Sequence, residues 1–202
     1  YSTGELRKLA LLTALLADPP LLILDEPFDG LDASSRERFI EIIKDEARRR
    51  SILVVSGRRS DLELLGEDIH TLGREHFKNN RARIPEAAAS SRSFAEKQAS
   101  CGRREILIGL ECVSVSYGEI PILRDLSFEV ARGEAWRIAG PNGAGKTTLT
   151  ELITGENQKA YGQNIWLFGR KKGSGESVWE IKERIGHLSP ALHRRISPRD
   201  RV

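Results

Sequence analysis

Residues 140–148 read Gly-Pro-Asn-Gly-Ala-Gly-Lys-Thr-Thr and have the spacing of a phosphate-binding loop. Glycines allow a tight turn in which main-chain N–H groups converge on an anion. Lys146 would add positive charge near the β- and γ-phosphates, and Thr147 would offer a hydroxyl to Mg²⁺. A plain glycine-rich turn is the alternative interpretation. We predict phosphate contacts at Gly140, Asn142, Gly143, Gly145, Lys146, Thr147 and Thr148.

The elements around this loop are those that such a loop requires. Residues 135–139 have the pattern of a short buried strand, and residues 147–154 that of a helix. The positive N-terminal end of the helix would face the phosphates. The order of strand, loop and helix therefore argues against a plain turn.

A second candidate lies near the start of the chain, where two acids follow the apolar run 21–24. A continuous apolar run is typical of a strand buried on both faces of a parallel sheet. Ligands bind at the carboxyl ends of such strands. Asp25 could hold Mg²⁺ through a water molecule, and Glu26 could orient or deprotonate the water that attacks a γ-phosphate. Two surface acids in a turn are the alternative.

Ser2 and Glu5 have the spacing of a capping box, which predicts a helix through about Leu16. We expect its leucines at positions 9, 12, 15 and 16 to face a core. Ser2 could be only a helix cap. The same helix terminus, with Ser2 and Gly4, could also present a hydroxyl and N–H groups to a phosphate.

The remaining pattern predicts an α/β chain. Asp32 is a plausible N-cap for a helix over about 33–49, and residues 51–56 form a second buried strand. Alternating segments over 105–130 predict an antiparallel sheet. Tyr117 at its edge could stack on a purine or pack within the sheet, and the sequence does not decide between these roles.

Composition narrows the class of protein further. The 202 residues are 39% hydrophobic and 30% charged, and no apolar run approaches the roughly 20 residues of a membrane span. The net charge of +3 does not by itself indicate a nucleic-acid partner. Two cysteines and four scattered histidines show no metal-ligand spacing, which favours reduced thiols in a cytosolic protein.

Together these motifs resemble ATP-binding cassette (ABC) nucleotide-binding domains, which are P-loop NTPases. Residues 1–5 stand where that family has its Ser-Gly-Gly-Gln signature, residues 22–26 resemble Walker B with the catalytic glutamate, and residues 28–32 resemble the D-loop. Tyr117 corresponds to the A-loop aromatic and residues 140–148 to Walker A. The resemblance implies a mostly parallel core sheet, an antiparallel β-subdomain, and ATP and Mg²⁺ as cofactors.

The order of these motifs is reversed relative to a single cassette. We therefore expect two partial cassettes of a longer tandem protein: the C-terminal half of one at 1–75, a linker at 76–104, and the N-terminal half of another at 105–202. Details such as residues 167–170 resemble tandem cassettes of the ModF or PhrA type, which are associated with molybdenum transport and photorepair.

Cassettes of this family pair head to tail, which would bring Lys146 and Thr147 opposite Ser2 and Gly4. Glu26 would then serve the other site, and this chain alone would lack a complete hydrolytic site. The alternative is one circularly permuted core, in which the strand 21–25 joins the sheet of the strand 134–139 and Glu26 lies beside Lys146.

The family pattern is not complete. Gly57 stands where a switch histidine is expected, Ser189-Pro190 where a glutamine is expected, and Thr3 where a signature glycine is expected. Slow or altered hydrolysis is the consequence we predict.

The resemblance implies the ATP-hydrolysing subunit of a molybdenum-transport-related ABC system. Its partners would be ATP, the missing cassette halves and a separate membrane permease, with no direct nucleic-acid partner. It would be cytoplasmic, free or peripheral at the cytoplasmic face of the membrane. The alternatives are a soluble tandem ATPase with a regulatory, repair or translation-linked role, and a decayed cassette used only for interaction.

Overall fold

A computed structural model describes residues 3–66, 68–72, 105–175 and 177–190 of the chain. Ser2 and the predicted linker 76–104 lie outside these ranges. In chain order the helices and strands are α1 (Thr3–Leu16), β1 (Leu21–Asp25), α2 (Ala33–Ala47), β2 (Ser51–Ser56), α3 (Arg59–Glu63), β3 (His70–Thr71), β4 (Ile106–Tyr117), β5 (Ile120–Ala131), β6 (Ala135–Ala139), α4 (Lys146–Thr154), β7 (Asn164–Leu167), β8 (Arg170–Lys171), α5 (Val178–Glu183) and β9 (Ile185–Leu188).

Five strands form a parallel sheet in the order β3-β6-β2-β1-β9. Strands β1, β2 and β3 come from the first half of the chain, and β6 and β9 from the second. The halves that we assigned to different cassettes therefore share one sheet, with β2 between β1 and β6. This arrangement is the permuted core given above as the alternative, and the division of the chain into two partial cassettes at 1–75 and 105–202, with a linker at 76–104, stays a prediction.

The other four strands form an antiparallel sheet in the order β5-β4-β7-β8, as the alternating sequence predicts. Within the stretch 105–130, the first strand of this sheet is long: β4 runs without a break from Ile106 to Tyr117. The pairing of β4 with β5 shifts near Cys112, whose φ is 51°. A register shift of this kind lets a long strand bend around a core.

Two hydrophobic cores cover opposite faces of the parallel sheet. Leu21, Ile23 and Leu53 pack in the core that includes α4 and the antiparallel sheet. Leu22 and Ile52 pack in the core that includes α1 and α2. Alternate residues of β1 and β2 thus enter different cores, which explains their continuous apolar sequence.

The leucines of α1 are arranged differently from our prediction. Leu9, Leu12 and Leu16 are 51%, 55% and 84% exposed, so the expectation that they face a core is wrong. Leu15 is partly buried against the core of α1 and α2, as predicted. The buried face carries Arg7 and, in addition, Leu11 and Ala14. The helix has more leucines than one stripe can bury, so spacing alone does not identify the inward face.

The predicted N-terminal cap of α2 is present in the structure. The Asp32 side chain accepts a hydrogen bond from the Ser35 N–H and caps α2, as expected. Within the described residues, no helix combines the length and apolar character needed to cross a membrane.

Candidate functional site

The phosphate-binding loop connects β6 to α4 and is anchored to the neighbouring strand β2. The Gly140 N–H donates to the Ser56 carbonyl at 3.2 Å, and the Ala144 N–H to the Pro141 carbonyl at 3.1 Å. Gly145 has a φ of 94°, and a Cβ there would lie 2.7 Å from a Leu123 methyl carbon. The glycine therefore allows the loop to pack tightly where α4 begins.

Lys146 folds back into this loop and is only 7% exposed. Its ammonium donates to the carbonyl oxygens of Gly140 and Pro141 at 2.8 and 3.0 Å. It also lies 3.4 Å from Glu26 Oε1. A positive charge enclosed by a glycine-rich loop at a helix N-terminus is suited to binding phosphate oxygens.

Asp25 ends β1 beside α4 and is 1% exposed. Its Oδ2 lies 3.3 Å from the Thr147 hydroxyl and 3.4 Å from that of Thr150. Burial, followed by the charge of Glu26, raises the pKa of Asp25 to about 6. Hydrogen bonds from the two threonines and the charge of Lys146 act in the opposite direction.

The pair of Asp25 and Thr147 fits a magnesium ion. Asp25 Oδ1 is buried and has no hydrogen-bond partner among the described residues. Carboxylate and hydroxyl oxygens are hard ligands of the kind that Mg²⁺ takes, usually together with water and substrate phosphates. Among the described residues, no group of three or more His, Cys, Asp or Glu side chains could by itself hold a metal ion.

Glu26 follows directly in a left-handed conformation with a φ of 49°. Its N–H continues the β1–β2 ladder to the Val55 carbonyl at 2.8 Å. Arg7, buried in α1, donates to the Glu26 carbonyl oxygen. The side chain is thereby turned toward Lys146 and remains 16% exposed. We expected Glu26 to serve another site, but in this fold it lies beside Lys146.

Tyr117 is held at the other end of α4. Its hydroxyl accepts a hydrogen bond of 2.7 Å from Asn157, which follows that helix, and Lys159 lies 5.1 Å from the ring centroid. The ring is 45% exposed, so it is not a buried sheet residue. Stacking on a purine stays a prediction.

The other predicted contacts are placed only in part. Asn142 and Gly143 are exposed on the loop, and Thr148 lies partly buried in the first turn of α4. Gly4 lies in the first turn of α1, and Ser2 is outside the described residues. That these two bind the same phosphate as Lys146 stays a prediction.

Sequence reasoning missed four residues that contact Asp25 or Glu26. Ser56 and Gly57 hold the Glu26 carboxylate, Arg7 holds its main chain, and Thr150 contacts Asp25. Gly57 occupies the position expected for a switch histidine. A Cβ there would lie 3.2 Å from Glu26 Oε1, which is a tight contact, and 3.6 Å from the Lys146 ammonium, which is an ordinary one.

Two family models match separate parts of the chain. A family model described as ABC transporter matches residues 123–200, which include the phosphate-binding loop. A model described as AAA domain, putative AbiEii toxin, Type IV TA system matches residues 1–56, which include Asp25 and Glu26. The fold is that of an ABC ATPase domain.

Similar curated proteins extend over both parts. The ABC transporter ATP-binding protein ModF of Escherichia coli is 39% identical over 95% of this chain and 43% of its own length. An uncharacterised ABC transporter ATP-binding protein of Schizosaccharomyces pombe is 32% identical over 95% of this chain and 42% of its own length. This chain thus spans less than half the length of these relatives.

Proposed function

We propose that this chain, a member of the ABC ATP-binding protein family, binds ATP with Mg²⁺ and hydrolyses it at the site between β1, β2 and α4. The observation that carries the proposal is the 3.4 Å approach of Glu26 Oε1 to the Lys146 ammonium. It brings the acid after β1 to the phosphate-binding loop, although 120 positions separate the two residues in sequence.

Each group then has a definite task. The loop amides and Lys146 bind the β- and γ-phosphates. Asp25 and Thr147 would hold the Mg²⁺, which would neutralise phosphate charge. Glu26 orients the water that attacks the γ-phosphorus and accepts its proton, while the bond from that phosphorus to the bridging oxygen breaks and ADP leaves. Tyr117 is the candidate for stacking on the purine ring of ATP. Ser2 and Gly4 are proposed to contact the γ-phosphate across a head-to-tail pair of cassettes.

The binding step is tested by measuring ATP affinity in the presence of magnesium. Lys146→Ala should weaken affinity about 10- to 100-fold, because a charged hydrogen bond contributes about 1.5–3 kcal/mol. Lys44→Ala is the control, since Lys44 is exposed on α2 and should leave affinity unchanged. Undiminished binding by Lys146→Ala would refute the assignment.

The role of the whole protein is proposed on the family resemblance: an ATP-hydrolysing subunit of a molybdenum-transport-related system with a separate membrane permease. The alternative is a soluble tandem ATPase with a regulatory, repair or translation-linked role. Copurification of the full-length protein distinguishes them. A membrane subunit among the partners would support transport, and ribosomes or DNA would support the alternative.

A further inference from the structure

The carboxylate of Glu26 rests against the end of β2. The Gly57 N–H lies 2.8 Å from Oε1 and 3.0 Å from Oε2, and the Ser56 hydroxyl lies 3.2 Å from Oε2. We infer that Ser56 and Gly57 are positioning residues that hold the Glu26 carboxylate for hydrolysis. This inference rests on the function proposed above.

The direction of the Ser56 hydroxyl is fixed by its surroundings. The Arg58 N–H donates to Ser56 Oγ at 3.2 Å, so this oxygen already accepts one hydrogen bond. The hydroxyl hydrogen is then available for Glu26. Ser56 is 1% exposed, and hydrogen bonds to a charged acceptor away from water are stronger than those between neutral groups.

Gly57 donates its main-chain N–H to Glu26, and because it has no side chain it leaves room for the carboxylate. A Cβ at this position would meet Glu26 Oε1 at 3.2 Å, Asn142 Oδ1 at 3.5 Å and the Lys146 ammonium at 3.6 Å. Any side chain would begin in the space between the glutamate and the loop. At position 57 the main-chain N–H therefore holds the Glu26 carboxylate, and no side chain takes part.

A purely structural role for Ser56 is the competing interpretation, and Ser51 supplies the matched control. Ser51 is on the same strand, is fully buried, and accepts a 2.7 Å hydrogen bond from the Gly133 N–H. It lies at the opposite end of β2 from Glu26. Loss of either hydroxyl should lower Tm, but only loss of the Ser56 hydroxyl should affect the chemical step.

The experiment measures kcat, ATP affinity and Tm for Ser56→Ala, Ser56→Thr and Ser51→Ala in this chain. We expect Ser56→Ala to lower kcat about tenfold, the effect of one hydrogen bond to a charged group, with ATP affinity changed less than twofold. Ser56→Thr keeps the hydroxyl and should retain most of the activity. Ser51→Ala should lower Tm with kcat unchanged.

Gly57→Ala gives an independent measurement, because it keeps Ser56 but crowds Oε1. It should also lower kcat more than ATP affinity. Unchanged kcat in Ser56→Ala, or an equal loss in Ser51→Ala, would overturn the inference and leave the proposed function intact. Absence of turnover in the unsubstituted chain would overturn the proposed hydrolysis and this inference with it.

Discussion

At the scale of single residues, Glu26 is the group on which the proposed hydrolysis depends. Glu26→Gln keeps the shape of the side chain and removes its ability to accept a proton. We expect turnover to fall about 10²- to 10⁴-fold while ATP binding persists. Steady-state hydrolysis and equilibrium binding measure the two effects. Glu63→Gln, which changes an exposed acid on α3 that pairs with Arg59, should alter neither.

The sequence predicts Lys146, Thr147, Asp25 and Glu26 as site residues, because each lies in a short pattern with a known physical purpose. It was not sufficient to show that Glu26 contacts the Ser56 hydroxyl and the Gly57 N–H. Those contacts depend on the left-handed turn at Glu26 and on the pairing of β1 with β2. Hydrogen-bond partners that only strand pairing brings together leave no signature in the amino-acid pattern.

At the scale of elements, the junction between the loop and α4 should be sensitive to added atoms. Gly145→Ala puts a Cβ 2.7 Å from Leu123 at a φ of 94°, whereas Gly143→Ala meets open space at a φ of 80°. The left-handed backbone at these positions should lower the free energy of unfolding of both variants by about 1–2 kcal/mol. Gly145→Ala should lower the free energy of unfolding further, because its Cβ would clash with Leu123.

Denaturant unfolding of the two glycine variants measures this difference. Their unfolding free energies should be lower than that of the unsubstituted chain, with Gly145→Ala clearly the less stable. Equal stability of the two variants would contradict the packing of α4 against the segment that contains Leu123.

Lys172 links the stability of α4 to pH. It is 7% exposed, and its ammonium donates to the Leu152 carbonyl at 2.5 Å near the end of the helix. Burial lowers the pKa of Lys172 to about 8. Because the unfolded lysine titrates near 10.4, the unfolded state binds more protons between these values, and the free energy of unfolding should rise with pH from about 8 to about 10.

Substitution of Lys172 by Met measures its contribution to the pH dependence of the free energy of unfolding. Relative to Lys172→Met, the unsubstituted chain should gain about 1–3 kcal/mol of unfolding free energy between pH 8 and pH 10. Lys44→Met, at an exposed position, should show the same pH dependence as the unsubstituted chain. A parallel pH profile for Lys172→Met would contradict the burial of this ammonium.

At the scale of the whole molecule, β2 lies at the centre of a sheet built from both halves of the chain. It pairs with β1 on one side and with β6 on the other. We expect the amides of residues 52–55 to exchange with deuterium only on global unfolding. Rapid exchange along β2 or β6 would show that the two halves separate.

The sequence predicts the strands of this sheet but not the order in which they pair. The order of motifs indicated two cassettes, and the apolar strands 21–24 and 51–56 can pair with any similar strand. Parallel pairing between residues more than 80 positions apart, as between Ile52 and Ala135, has no local signal in the sequence. Only the assembled fold brings Glu26 to Lys146.

The most direct test of a single site within one chain is ATP hydrolysis by a mixture of two inactive variants. Lys146→Ala and Glu26→Gln each remove one member of the pair. If both residues serve the same site in one chain, the unsubstituted protein hydrolyses ATP and the mixture of variants stays inactive. Recovered turnover in the mixture would show that Lys146 and Glu26 come from different chains and would contradict the account.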